Sequence, residues 1–342
     1  MSTPPRRPSM ADVAALAGVS YQTVSRVLNE PERVRESTQE RVREAIAELG
    51  FRPNRAAREL KTTRSSLIGV MTDGSGLFGP SETTTAIETA ARRAGYAVLL
   101  TTVAGEVDGR ELGGELLDSG ADGILVVAGH DAMIPAVEAA ARSTPVLAVT
   151  ADPLDVPGVR TIGVDQPLGA RQVVEHLATT GRRSVVHLAG PSDWADARAR
   201  RSGFEQALEG SGIDGAVIPG GDWSPLSGAR LTEELLEAGS PPEAIFAAND
   251  LMAIGVIHAL SLAGLRAGED VAVVGFDDIV PAAFLLPPLS TVSQPFALLG
   301  RTALELLLSD LDGGADDAAR PNPEVGAIPL APQLVVRESS AR

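Results

Sequence analysis

Apolar residues recur every three to four positions in three short segments near the N-terminus. After residue 65 the pattern changes to short apolar runs separated by longer amphipathic stretches. The first spacing is that of helices with one buried face, the second that of strands alternating with helices. The first segment, residues 10–17, follows Ser9, a good N-cap, and stops at Gly18, a residue that tolerates the left-handed backbone of a helix exit. After the turn Gly18-Val19-Ser20, Ser20 can cap a second helix over 21–28. Val24, Val27 and Leu28 share one face of it, which leaves Tyr21, Gln22, Ser25 and Arg26 projecting from the other. A third helix is expected from a capping box at Ser37-Thr38-Gln39-Glu40, with Val42, Ala45, Ile46 and Leu49 as its stripe and Gly50 as its exit. Two short helices about a three-residue turn predict a helix-turn-helix, whose second helix meets base edges in the major groove. The plainer alternative is a small bundle with a solvated polar face.

From Ser65 onward, strands are expected at 67–71, 97–103, 123–127, 146–149, 185–188, 244–247 and 271–275. Helices are expected at 81–94, 170–179, 195–208, 250–263 and 298–308. This alternation predicts parallel sheets covered by helices on both faces. The units are too many for one doubly wound domain, so the expected core has two such lobes around a cleft, with ligand at the carboxyl ends of the strands.

The 342 residues suit two or three modules. Every apolar run is broken well before the roughly 18 residues of a membrane span, and the first eight residues lack an apolar signal core, so a cytoplasmic protein is expected. There is no cysteine, and His130, His176, His187 and His258 show no ligand spacing, so no metal is expected. The net charge of −16 opposes nucleic-acid binding, but it is unevenly spread. Residues 1–64 carry 12 Lys and Arg against 8 Asp and Glu, while the remaining 278 carry 17 against 37, a basic head on an acidic body. Gly74-Ser75-Gly76-Leu77-Phe78-Gly79 has the dinucleotide form G-x-G-x-x-G. It is set aside because the next strand ends in Leu100-Thr101-Thr102-Val103 without an acidic residue for a ribose, and Pro80-Ser81 reads as the helix start. No catalytic constellation stands out, so neither an enzyme nor a cofactor is expected.

Asp12-Val13-Ala14, Ala17-Gly18-Val19-Ser20, Thr23-Val24-Ser25-Arg26-Val27 and Asn29 resemble the signature of the lac repressor (LacI/GalR) family of transcriptional regulators. The likeness is closest to its lac-type branch and runs with few gaps to about Arg337. It implies a DNA-binding repressor with a small all-α helix-turn-helix head and an α/β periplasmic-binding-protein-like core of two doubly wound lobes. The implied domains are residues 1–52 for the head, 53–64 for a hinge helix and linker, and 65–342 for the effector-binding and dimerisation core. Tyr21 and Gln22 take the positions where members differ to choose their operators, and Arg26 suits the O6 and N7 of guanine. Ser20, Thr23, Ser25, Asn29 and Arg33 complete the implied contacts of the head. In the segment Phe51 to Leu60, too short to be a stable helix alone, the family has a hinge that forms on operator DNA. Asn54 and Ala57 fall within it, and Leu60 takes the place of a leucine wedged between base steps.

In the core, the resemblance rests on Leu188-Ala189-Gly190-Pro191, Ala197-Arg198-Ala199-Arg200-Arg201-Ser202-Gly203-Phe204, Gly221-Asp222-Trp223-Ser224, Ala247-Ala248-Asn249-Asp250, Val274-Gly275-Phe276-Asp277-Asp278 and Ser293-Gln294-Pro295. It implies a sugar site built from Asp73, Arg200, Trp223, Asn249, Asp277 and Phe296, with an indole face for C–H groups and polar groups for hydroxyls. Only the alignment selects Arg200 over Arg198 and Arg201, and either Asp277 or Asp278 could merely cap a turn. Where the lac-type pattern has an acidic residue, this chain reads Thr150-Ala151-Asp152, which leaves open whether Asp152 supplies that contact and whether the sugar is a galactoside. No leucine heptad follows Arg337, so a dimer is expected. The expected mechanism is a homodimer on palindromic double-stranded operator DNA, released when sugar fills the cleft. The competing reading keeps the architecture but has a purine or phosphorylated corepressor strengthen DNA binding.

Overall fold

A computed structural model of the chain describes residues 8–51, 64–103, 109–313 and 328–341. The expectations for Asn54, Ala57 and Leu60 lie outside the described residues. The chain falls into two compact units, Met1–Ser65 and Ser66–Arg342.

The first unit packs α1 (Met10–Ala17), α2 (Tyr21–Asn29) and α3 (Glu36–Leu49) around Val13, Ala14, Ala17, Val24, Val27, Val42, Ala45 and Phe51. Ser9 and Asp12 form a reciprocal capping box on α1, Gly18 ends it at φ 62°, and Ser20 caps α2 by accepting the Thr23 N–H. The capping box expected at Ser37 is not formed. Helix α3 begins at Glu36, so Ser37 and Thr38 lie in its first turn, and Arg35 at the N-cap makes no side-chain cap bond. A 3₁₀ turn over Pro31–Arg33 brings two carbonyls within reach of Gln39, whose Nε2 donates to Pro31 at 2.8 Å and Val34 at 2.9 Å. That ties the preceding loop to α3 in place of the cap.

The second unit contains two six-stranded sheets. In chain order its elements are β1 (Leu67–Thr72), α4 (Phe78–Arg93), β2 (Ala97–Thr102), α5 (Gly109–Asp118), β3 (Gly123–Val127), α6 (Ile134–Ala141), β4 (Val146–Val149) and β5 (Arg160–Val164). There follow α7 (Gln166–Thr179), β6 (Ser184–Leu188), α8 (Ala195–Leu208), β7 (Asp214–Ile218), α9 (Pro225–Ala238), β8 (Ala244–Ala247), α10 (Asp250–Leu262), β9 (Ala272–Asp277) and β10 (Ser290–Ser293). The last elements are α11 (Phe296–Asp312), β11 (Ile328–Leu330) and β12 (Gln333–Val335). The first sheet runs β11-β5-β4-β3-β1-β2, all parallel, and the second β12-β10-β9-β8-β6-β7, parallel except for β12. Buried aliphatic clusters cover both faces of each sheet, as parallel strands require.

The chain passes between the lobes at Asp165, at Gln294-Pro295 and at Ala331-Pro332. Three helices start earlier than the pattern suggested, α11 by only two residues. Helix α4 begins at Phe78 and not at Ser81, because Pro80 fits a first turn, where its missing N–H has no intrahelical partner to lose. Helix α7 begins at Gln166 under an Asp165 cap, with Pro167 and Gly169 inside its first turns.

Candidate functional site

In the first unit, α2 buries Val24 and Val27 and exposes Tyr21, Gln22 and Arg26, with Thr23 and Ser25 half-buried between them. Ser20 and Thr23 share a hydroxyl hydrogen bond of 2.9 Å that fixes the first turn. A short helix thus presents an aromatic phenol, an amide and a guanidinium from its first two turns, the groups that read base edges. Asn29 is the last residue of α2, and Arg33, in the turn beyond it, pairs with Glu30 at 2.8 Å.

In the second unit Asp73, Trp223, Asn249 and Asp277 sit at or beyond carboxyl ends of strands, Arg200 in a helix and Phe296 at a helix start. Arg200 is their centre. It lies two turns into α8 and is 3% exposed, its Nε donating to Gln166 Oε1 at 2.8 Å and its Nη1 to the Ala248 carbonyl. The guanidinium lies 3.9 Å from the Phe276 ring centroid and 5.3 Å from that of Trp223, so two π faces and two acceptors hold it. Its neighbours do different work. Arg201 pairs with Glu205 on the surface of α8, and Arg198 reaches Asp131 and Asp152 of the first lobe.

Asp277 ends β9 with φ at 115°, a conformation L-residues rarely adopt. It accepts from Gln294 Nε2 at 2.7 Å and stands 3.7 Å from Arg200 Nη2. Burial pushes its carboxyl up to about 6, against the opposing pull of Arg200. Asp278, also at positive φ, pairs with Arg337 at 2.7 Å and so anchors the chain end and not the site. Asp250, fully buried, accepts from Thr291 and from the Ile279 N–H, and burial with the nearby Asp277 charge raises it well above the ordinary carboxylate range. Its role is to hold the β9–β10 connection. Desolvation also raises Asp196, 4.0 Å from Arg200.

Trp223 is buried at φ 69°, against Gly190, where a Cβ would meet the indole at 2.7 Å. Its Nε1 is buried without a protein acceptor, which leaves a donor for something else. Asn249 caps α10 through Oδ1 to the Met252 N–H and donates to the Trp223 carbonyl at 3.2 Å, so it both orients the indole and starts a helix. In the first lobe, Asp73 closes β1 with an Asx turn to the Ser75 N–H, and Phe296, the first residue of α11, packs edge-to-face on Phe78 at 5.7 Å.

The structure adds residues the sequence reading missed. Gln166 and Gln294 bond to one another at 3.0 Å and bracket Arg200 and Asp277 from two crossovers between the lobes. Gln294 lay within a matched phrase, whereas Gln166 had only its place after a strand to mark it. Trp194, one of two tryptophans in the chain, packs edge-to-face on Trp223 at 5.8 Å and on His130 of the first lobe at 5.6 Å. Among the described residues no group of acidic, His or Cys side chains is arranged to hold a metal, and no helix is long and apolar enough to cross a membrane.

Comparison with known proteins places this geometry. Residues 9–54 match the family described as bacterial regulatory proteins, lacI family, and residues 174–340 match a periplasmic binding protein-like domain. The chain is 38% identical to the lactose operon repressor of Escherichia coli K12, over 90% of this chain and 86% of that protein. It is 35% identical to the HTH-type transcriptional regulator CelR of Thermobifida fusca over 98% of both. Among solved structures, the lac repressor dimer bound to operator and the anti-inducer ONPF superposes with a TM-score of 0.79 at 35% identity, covering 98% of this chain and all of that one. A CelR–cellobiose complex gives 0.69 at 31% identity over the same shares. A reading helix with an exposed polar face, a two-lobed core and full-length similarity to two regulators together establish that the chain belongs to the LacI family of bacterial regulatory proteins.

Proposed function

We propose that this LacI-family regulator is a homodimeric repressor of a palindromic operator and that a neutral sugar, bound in the cleft around Arg200, Trp223, Asn249 and Asp277, releases it from DNA. The observation that carries the sugar reading is the corner made by Arg200, Asp277 and Trp223. It combines an indole ring, an indole N–H lacking a protein acceptor, and a guanidinium 3.7 Å from a carboxylate. Hydroxyls both donate and accept, so a polyol satisfies such a mixed set while its C–H face covers the ring. A phosphate group fits poorly, because Asp196 and Asp277 already flank the buried Arg200 guanidinium. The similarity to the lactose operon repressor and to CelR, solved with cellobiose, supports a galactoside or glucoside. Asp73 and Phe296 would close the site from the first lobe.

On DNA, Tyr21, Gln22 and Arg26 are assigned to base edges, with Ser20, Thr23, Ser25, Asn29 and Arg33 on phosphates or neighbouring bases, and each good bidentate base contact discriminates by about 1–3 kcal/mol. Asn54, Ala57 and Leu60 enter through the family resemblance as the hinge that docks in the minor groove.

The test is a titration of the purified protein onto a palindrome carrying a lac-type half-site at fixed salt, with and without galactosides, cellobiose, other glucosides and purines. Release by one sugar is the expected result. Tighter DNA binding with a purine, or with a phosphorylated sugar added to the same panel, would replace induction by corepression.

A further inference from the structure

Four of the six candidate effector residues are shut away from solvent. Arg200 is 3% exposed, Asn249 4%, Trp223 6% and Asp277 8%. Side chains covered to this degree admit a sugar only after a rearrangement around them. The contacts that join the lobes across the cleft include a set between the loop after β3, Asp152 beyond β4, and the loop and first turns after β6.

Two backbone bonds run from one loop to the other: the Ala195 N–H donates to the Gly129 carbonyl at 2.9 Å, and the Asp131 N–H to the Asp193 carbonyl at 3.0 Å. Around them, Arg198 grips Asp131 with both Nη atoms at 2.9 Å each, reaches Asp152 at 3.1 Å, and is steadied by the Ser192 carbonyl at 2.9 Å. His130 Nε2 lies 3.1 Å from Asp193 Oδ2, and its ring meets the Trp194 indole edge-to-face. Gly129 allows the approach, since a Cβ there would stand 3.1 Å from the indole. A bidentate arginine on one carboxylate and a shared bond to a second make a charge-assisted cluster, stronger than a lone surface pair although partly solvated.

We propose that residues 129–131 and 192–198 form a latch built from the chain's own side chains, with Arg198 as its positioning residue, and that it must open before effector can enter or leave the cleft. This rests on the cleft being the effector site. The latch engages one oxygen of Asp152, Oδ2, through Arg198. Its members Asp131, Asp193 and Arg198 are not candidate effector contacts, so the latch stabilises the closed arrangement whether or not effector fills the cleft. Its loss speeds entry and exit together and changes affinity little.

Native-state hydrogen exchange on the ligand-free full-length protein tests the latch without depending on any sugar. The amides of Asp131 and Ala195 exchange only when the two loops separate, so their rates report the open population. Arg198→Gln and, separately, Asp131→Asn are expected to raise both rates about threefold to tenfold, while amides within β8 and the exposed-pair control Arg201→Gln stay at wild-type values. A rise confined to Asp131 and Ala195 supports the latch even if the cleft proves to take no sugar. Unchanged rates at these two amides in both variants, or an equal rise throughout the second lobe, would overturn it.

Discussion

At the scale of single residues, the site is where the backbone and the charges are held away from their relaxed states. Trp223 and Asp277 have positive φ and converge on Arg200, as strained residues tend to do at functional sites. Asp277 makes this measurable. Its folded carboxyl ionises near 6 and its unfolded one near 3.8, so between these values unfolding releases a proton and the protein loses stability as pH rises, levelling off above about 6. His187 acts in the opposite sense. Buried between Phe204 and Phe246, its imidazole is lowered to about 4, so its contribution is lost as pH falls from about 6.5 toward 4. The two partly cancel, and the variant Asp277→Asn separates them. Urea titrations at several pH values should show the stability of Asp277→Asn rising relative to wild type by on the order of 2–3 kcal/mol between pH 4 and 6. A constant difference would mean that Asp277 ionises normally. Chemistry alone did not choose among Arg198, Arg200 and Arg201, since three arginines in four positions cover most of a helix turn. The structure gives one to the buried corner, one to the other lobe and one to solvent.

At the scale of elements, local signals were legible where the chain satisfies its own backbone and obscure where distant residues do so. Ser9, Gly18 and Ser20 mark α1 and α2 because each closes a bond within four residues. The start of α3 lacks such a local signal, since Gln39 bonds backward to Pro31 and Val34. Strand β10, Ser-Thr-Val-Ser, carries little apolar pattern, yet it is mostly buried, because Asp250, Arg337 and Ser339 take up its polar groups from 41 to 49 residues away. Helix α7 carries Pro167 and Gly169 in its first turns, residues that weaken the local helix signal. They mark close packing instead: α8 crosses α7 at Gly203, where a Cβ would fall 2.3 Å from Pro167 Cα, and Gly169 faces the Phe276 ring. Gly203→Ala is therefore expected to cost about 2 kcal/mol or more by forcing two helices apart beside Arg200. A thermal melt within a degree of wild type would show that the crossing relaxes freely.

At the scale of the whole molecule, the alternation of strands and helices foretold two doubly wound lobes, but not which strand joins which lobe. The three crossovers decide that, and two of them place Gln166 and Gln294 against the cleft centre. A ligand bridging the lobes there acts where the chain passes between them, the position from which lobe orientation is most directly set. Effector and operator are then coupled through one equilibrium, and coupling of this kind is reciprocal. Whatever factor the sugar takes from operator affinity, the operator must take from sugar affinity, typically 5- to 150-fold. The most direct measurement is the dissociation constant of the releasing sugar for the free protein and for the protein saturated with operator duplex, at one salt concentration. Sugar binding is expected to weaken on the operator by the same factor as the sugar weakens operator binding; equal sugar affinity in both states would contradict the coupling.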